Sequence, residues 1–221
     1  MSIIVLENIN KIYGKGENQN KALKDVNLTI EKGEFVAIVG TSGSGKSTLL
    51  NILGCLDRPT SGKYFLEGED VINLSDKKIG KVRNEKIGFV FQDFNLINEK
   101  SILDNVIVPL KFSRKFKGSK KKKALEMLKN IGLEGHEKKK PCALSGGEMQ
   151  RVAIVRALIN EPDIILADEP TGSLDKRNGN MVMDLFEEIN NQGKTVIIIT
   201  HDYDIASRCK RILNVDDGKI Y

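Results

Sequence analysis

Phe35-Val36-Ala37-Ile38-Val39-Gly40-Thr41-Ser42-Gly43-Ser44-Gly45-Lys46-Ser47-Thr48-Leu49-Leu50-Asn51-Ile52-Leu53 decides the fold of this 221-residue chain. An apolar run of strand length leads into Gly40–Ser47, which fits G-x-x-x-x-G-K-[ST], and Thr48 to Leu53 reads as the opening of a helix. Strand, glycine loop and helix together make a phosphate cradle. The glycines let the backbone curl so that successive N–H groups point at phosphate oxygens. Lys46 is suited to neutralise β- and γ-phosphates, and the Ser47 hydroxyl to ligate Mg²⁺. The bland alternative, a glycine-rich turn with a solvated lysine, does not account for the strand and helix on either side.

Working outward, Ile3 to Asn10, Val26 to Ile30 and Lys63 to Leu66 read as strands, with turns at Asn18-Gln19-Asn20 and Gly68-Glu69-Asp70. From about Ser101 to Asn160 the pattern is mostly helical, broken at Gly132 and Pro141. Ile87–Phe91, Ile164–Ala167 and Val196–Ile199 are apolar runs of strand length, and Met181, Val182, Leu185, Phe186 and Ile189 follow helical spacing. Continuous apolar strands alternating with helices predict an α/β fold with a parallel sheet covered on both faces. The expected division is a core of residues 1–92 and 151–221 with a helical insertion at 93–150, all within a single domain.

Polar groups follow three of these strands: Gln92, the pair Asp168 and Glu169, and His201. In open α/β sheets the ligand lies beyond the carboxyl ends of the strands, where the glycine loop also sits. These groups are therefore expected to converge on one nucleotide. Asp168 can hold the hydration shell of Mg²⁺, and Glu169 can accept a proton from an attacking water. His201 can hydrogen-bond a γ-phosphate oxygen, and Gln92 can reach the metal through its amide oxygen. Taken singly, a glutamine or histidine after a strand is often structural. Two adjacent carboxylates at the end of four apolar residues are costly unless used.

Leu144-Ser145-Gly146-Gly147-Glu148-Met149-Gln150 is a second phosphate-seeking element. Ser145 and Glu148 form a capping-box pattern ahead of an apolar-rich run, and the two glycines leave backbone N–H groups uncovered at a helix N-terminus. No lysine or arginine lies within this loop to complete a pocket.

Composition narrows the partners. Hydrophobic residues make up 40% of the chain, enough for a sizeable core, and no apolar stretch reaches the length of a membrane span. The first residues lack the basic start and cleavage site of a signal peptide, and three cysteines without metal spacing suit a reduced, cytoplasmic compartment. The net charge of +5 is concentrated in Arg114, Lys115, Lys117, Lys120–Lys123 and Lys138–Lys140. That run reads as a solvated face or, alternatively, as a surface attracted to an anionic membrane or an acidic partner. Aromatics are only 5% with no Trp, so a base-stacking platform is not expected and nucleic acid is not an expected partner.

The order Gly40–Ser47, Gln92, Leu144–Gln150, Ile164–Glu169, Ser173-Leu174-Asp175, His201 resembles the ATP-binding subunit of an ABC transporter over essentially the whole chain. Gly54-Cys55-Leu56-Asp57-Arg58-Pro59-Thr60-Ser61-Gly62, Ile87–Gln92 and Leu166–Gly172 are similar to the lipoprotein-release, macrolide-export and antimicrobial-peptide-resistance group, near the cell-division ATPase. The resemblance implies an ABC-ATPase core with an added antiparallel β subdomain and a helical signature subdomain. It implies ATP and Mg²⁺ as ligands, with Tyr13 stacking on adenine and Gly40–Thr48 around the phosphates. Ser145, Gly146 and Gly147, with Glu148, match the loop that meets the γ-phosphate of ATP on a second copy. Ser173, Leu174 and Asp175 match the loop crossing that dimer interface. Ser47, Gln92 and Asp168 match the metal set. The stretch after Gln92 matches the contact to an integral membrane permease on a separate chain, which places the protein on the cytoplasmic face of the membrane.

The chain departs from the pattern at Glu148, where Gln is common, at Asn98, where Pro is frequent, and in a heavy lysine insertion after Phe112. A DNA-acting ATPase would need long coiled coils or zinc modules. A tandem translation factor would need two P-loops, and a small-molecule kinase has no use for Leu144–Gln150. A regulatory ATPase of the cell-division type stays open beside transport.

Overall fold

The computed structural model describes residues 1–113 and 115–221; Arg114, first of the basic run, lies outside the described residues. The elements begin β1 (Ser2–Tyr13), β2 (Asn20–Glu31), β3 (Phe35–Val39), α1 (Lys46–Leu53), β4 (Ser61–Leu66), β5 (Glu69–Asp70), α2 (Asp76–Lys86) and β6 (Ile87–Phe91). They continue α3 (Ile102–Phe112), α4 (Lys120–Asn130), α5 (Gly146–Leu158), β7 (Ile164–Asp168), α6 (Lys176–Asn191), β8 (Thr195–Ile199), α7 (Tyr203–Ala206), β9 (Arg211–Asp216) and β10 (Lys219–Ile220).

Strand periodicity explains the layers. In β7, Ile164 and Leu166 point to one apolar cluster and Ile165 and Ala167 to another. In β8, Ile197 and Ile199 join the first, and Val196 and Ile198 the second. Both faces of these strands are buried, as the unbroken apolar runs require. The six-stranded sheet has the order β10-β9-β3-β8-β7-β6, parallel except for β10, which returns antiparallel on β9. One face packs on α6 through Val182, Met183, Phe186 and Ile189. The other meets α1, through Leu49, Leu50, Ile52 and Leu53, and beyond it a four-stranded antiparallel sheet of order β2-β1-β4-β5. Helix α1 thus lies in the core between two sheets, which holds the glycine loop at its N-terminus rigidly.

The helices α3, α4 and α5 share their own core of Ile102, Val106, Leu110, Leu128, Val152 and Val155. The expected boundary between residues 150 and 151 falls inside α5. Four features differ from the sequence reading. The turn expected at Asn18-Gln19-Asn20 sits earlier, as a 3₁₀ turn over Gly16–Asn18, and Asn20 already opens β2. Helix α2 carries only Ile79 as a buried residue among lysines and other polar groups, so its periodicity is faint. The turn expected at Gly68–Asp70 sits at Glu67-Gly68, and Glu69-Asp70 already pairs back on β4. The β9–β10 hairpin lies outside the sequence reading because it has no continuous apolar run; its signal is the alternation of Leu213 and Val215 with polar residues ahead of the turn pair Asp217-Gly218. Among the described residues no helix is long and apolar enough to cross a membrane.

Candidate active site

A cleft of about 760 Å³ opens at the carboxyl ends of β3, β7 and β8. It is lined by Tyr13, by Gly40–Gly43 and Gly45–Thr48, and by Asp168, Glu169 and His201. Gly45 caps α1 with φ 109°, in the left-handed region, and a Cβ there would stand 2.5 Å from the Ala22 carbonyl oxygen. No side chain caps this helix end, so the first N–H groups of α1 face the cleft as an anion site. Lys46 Nζ donates to the carbonyls of Gly40 and Thr41, 2.7 Å each, which pins the lysine across the loop mouth. Ser44 is turned away from the cleft: it is buried, and its Oγ has no hydrogen-bond partner among the described residues. Its carbonyl accepts from Gly218 N at 2.9 Å, so the β9–β10 turn braces the loop from behind.

Glu169 and His201 form a pair. Glu169 has φ 45°, a left-handed conformation that costs a non-glycine residue roughly 1–3 kcal/mol and persists only when its surroundings hold it. Its amide donates to Ile199 O at 2.9 Å. Its Oε1 accepts from His201 N at 3.0 Å and meets His201 Nδ1 at 2.7 Å, and its Oε2 accepts from Thr200 Oγ1 at 3.2 Å. A carboxylate offers about four lone-pair sites. With Nδ1–H donating, three are taken and one is left for a water. The same contact orients the exposed His201 ring with Nε2 free.

Asp168 is half-buried beside this pair. Burial first, then the neighbouring Glu169 charge, push its carboxyl pKa up, and Lys46 opposes them. The sign of the pH effect follows. A raised folded-state pKa means that the folded chain holds this proton more tightly, so the contribution to stability falls as pH rises from the ordinary 3.8 through the raised value. At neutral pH the ionised group destabilises the protein. Asp168→Asn is therefore expected to melt about 2 °C higher than the parent in EDTA at pH 7. An unchanged or lower melting temperature by calorimetry would contradict this.

The cleft wall away from Glu169 and His201 includes Tyr13, 41% exposed. Its hydroxyl donates to Asp57 Oδ2 at 2.8 Å, and Lys11 Nζ lies 4.8 Å from its ring centroid. Asn20, Lys21, Ala22, Asp217 and Gly218 also line the cleft; turn signals at Asn18–Asn20 and Asp217-Gly218 mark their loops in the sequence, but nothing there marks them as ligand contacts.

Other predicted residues lie elsewhere. Gln92 follows Phe91, the register partner of Asp168, and its side chain packs on Gly172 rather than lining the cleft. Ser145, Gly146, Gly147 and Glu148 do not line it either. The capping box is formed: Ser145 N donates to Glu148 Oε2 at 2.8 Å and Glu148 N to Ser145 Oγ at 3.4 Å. The two signature glycines abut Leu174 and Asn178, so Ser173–Asp175 lies alongside the helix start. Farther along α5, the fully buried Gln150 donates to Pro170 O at 2.7 Å, next to Glu169. Arg156 donates to Phe94 O at 2.7 Å and to Asn95 O, two residues with left-handed backbones after Gln92. Helix α5 is thereby tied to both loops that leave the sheet beside the cleft.

The ABC transporter family model matches residues 23–172. The chain belongs to the ABC transporter family. It is 48% identical over 218 residues to the macrolide export ATP-binding/permease protein MacB of Escherichia coli, covering 99% of the chain but 34% of that protein. The chain thus spans about a third of the length of these MacB relatives. The uncharacterized ABC transporter ATP-binding protein YvrO of Bacillus subtilis is 47% identical over 218 residues, with 95% of its length covered. Among solved structures, the ATP-binding cassette MJ0796, in a dimeric post-hydrolysis state bound to ADP and Pi, superposes with a TM-score of 0.90 at 48% identity, covering 98% of this chain and 96% of that one. The fold is that of the ABC cassette.

Proposed function

We propose that the chain is the ATP-hydrolysing subunit of an ABC transport system, dimerising around two ATP molecules and powering an integral membrane permease on a separate chain. The observation that carries this reading is the cleft itself. Lys46, Asp168, Glu169 and His201 meet in it, yet the signature loop Ser145–Glu148 stands outside it, at the capped start of α5. A loop at an exposed helix end gains only about 0.3–1 kcal/mol from an anion. It becomes useful when aimed at a phosphate already held by Lys46 on a second copy. Two chains packed head to tail complete two sites, with Ser173, Leu174 and Asp175 between them. The dimeric state of MJ0796 supports this arrangement.

Within each site, Gly40–Thr48 bind the phosphates, with the uncapped N–H groups at the start of α1 and the Lys46 ammonium acting together. Tyr13 takes the adenine. Mg²⁺ suits the donor set, since Asp168 is a partly buried carboxylate under repulsion from Glu169, and magnesium sites use one or two carboxylates with substrate phosphates. Ser47 and Asp168, which line the cleft, would hold it, Gln92 joining them only by leaving its packing on Gly172, and it would neutralise charge on the β- and γ-oxygens. Glu169 accepts the proton of the attacking water on its remaining lone pair. His201, oriented by Glu169, donates from Nε2 to a γ-phosphate oxygen when it carries both protons. Loss of the γ-phosphate removes contacts made only in the closed dimer, which then opens.

The permease meets the chain at a second groove of about 1000 Å³, between the sheet edge and α3. Phe89 and Phe91 stack along it at 5.7 Å, Phe112 is 73% exposed beside it, and Lys77, Lys78, Lys81 and Arg83 rim it. An amphipathic acidic segment suits that lining. The protein then acts on the cytoplasmic face of the membrane, in export, extraction or peptide resistance. Co-expression with the candidate permease and purification in detergent tests this. Phe112→Asp with Lys81→Glu is expected to abolish co-purification and stimulation while leaving the isolated subunit's ATPase rate within about twofold of the parent, as surface changes do. Retained co-purification would remove this groove as the docking site.

A further inference from the structure

We infer that Asp57 and Lys11 are positioning residues for the nucleotide base: together they lock Tyr13 as a one-sided stacking platform. The inference rests on the reading of Tyr13 as the adenine contact and extends it to residues that do not line the cleft beside the phosphates.

The geometry is a closed set of contacts. Asp57 uses both oxygens. Oδ2 accepts from the Tyr13 hydroxyl at 2.8 Å; Oδ1 accepts from Lys11 Nζ and from Arg58 N, both at 2.7 Å. Lys11 Nζ also donates to Arg58 O at 2.7 Å and lies over the Tyr13 ring. Its side chain is only 12% exposed. One ring face is therefore occupied by an ammonium held in place by a carboxylate. A cation on one face of a phenol ring draws on its π electrons and leaves the opposite face as the only one open to a flat base. The tether is anchored on the phosphate side. Asp57 N donates to Asn51 O at 3.1 Å, and Asn51 belongs to α1, the helix that starts at Lys46. Arg58 is itself tied to the carbonyls of Ile72 and Leu74 and to Asp76. Base platform and phosphate loop are thus two ends of one rigid unit, and the distance between them is set before ATP arrives.

The charge balance agrees. Burial raises the Asp57 carboxyl, but the bonds from Lys11, Tyr13 and Arg58 N outweigh it and hold the carboxyl below its ordinary range. Burial, then the bond to Asp57, raises the Tyr13 phenol. The tyrosine thus remains the donor and the aspartate the acceptor at neutral pH.

The test separates ring, tether and phosphate loop. Dissociation constants for Mg-ATP and for inorganic tripolyphosphate, which has no base, are measured on four variants with folding checked by thermal melting. Tyr13→Ala is expected to weaken ATP about tenfold, the value of one stacked base, and to leave tripolyphosphate unchanged. Tyr13→Phe, which keeps the ring and removes only the hydroxyl on an exposed side chain, is expected to weaken ATP about threefold. Asp57→Ala is expected to weaken ATP about three- to tenfold with kcat unchanged, and to add nothing further in the Tyr13→Ala background. If Tyr13→Ala leaves ATP binding intact, the adenine reading itself fails. If Tyr13→Ala weakens ATP but Tyr13→Phe does not, the ring stacks without a tether and the inference fails alone. Asp57→Ala overturns the inference if it weakens tripolyphosphate equally or adds fully to Tyr13→Ala, because its role is then structural.

Discussion

Glu169→Gln is expected to bind Mg-ATP with near-parent affinity, to hydrolyse it about 10²–10⁴-fold more slowly, and to accumulate as a nucleotide-dependent dimer. The structure indicates why the change should spare the fold. Glu169 Oε1 accepts from His201 N and meets Nδ1, and an amide oxygen can accept from the same donors. Oε2 meets Thr200 Oγ1, a hydroxyl that can accept from an amide nitrogen as readily as it donates to a carboxylate. The left-handed backbone at Glu169 rests on Ile199 O and on the Gln150–Pro170 contact, neither of which uses the side chain. What disappears is the basic lone pair left for the water. With cleavage blocked, the γ-phosphate contacts across the interface persist and the closed dimer is trapped. Turnover assays with light scattering at saturating Mg-ATP check both halves. Parent-like turnover removes Glu169 as the base, and a strictly monomeric variant removes the two-site dimer.

Ser145→Arg is the second large effect: turnover is expected to fall at least about 100-fold, while ATP binding by the monomer is unchanged. The replacement removes the cap hydroxyl, worth about 1 kcal/mol to the helix, and leaves Glu148 with its bond from the residue 145 N–H alone. It also places a long cation on an exposed helix start, where N–H groups are expected to meet a phosphate of the partner. None of Ser145 to Glu148 lines the chain's own cleft, so affinity measured on dilute monomer has no reason to move. Equilibrium binding of a fluorescent ATP analogue, beside steady-state turnover, tells the outcomes apart. Unchanged turnover would mean that the signature loop is no part of the site. Weakened monomer binding would mean that it acts within one chain.

Much of the site is legible in the amino-acid sequence. The glycine loop, its strand and its helix are contiguous, and local backbone chemistry is enough to read them. The capping box at Ser145 and Glu148 spans three residues and forms as its pattern requires. Asp168, Glu169 and His201 stand out because they follow unbroken apolar runs, and such strands end where a parallel sheet binds its ligand. Helix α2 escapes notice because one buried isoleucine among polar residues leaves almost no period to detect. Asp57 is visible only as part of a family-like string; nothing local marks an aspartate as the partner of a tyrosine 44 positions earlier.

The phosphate loop, the strand-end carboxylates and the capped signature helix are each written within one turn or one strand, and the α/β class follows from the alternation of apolar strands and helices along the chain. Which of them share a cleft depends on how the layers pack. Sheet order sets β7 and β8 beside β3, so Glu169 and His201 meet each other and face Lys46. The same packing seats α5 in the helical core, with its start against Leu174 and Asn178 and away from the phosphate loop. The physical reason is that side chains dozens of residues apart are brought together by buried apolar faces, whose layering no local pattern records.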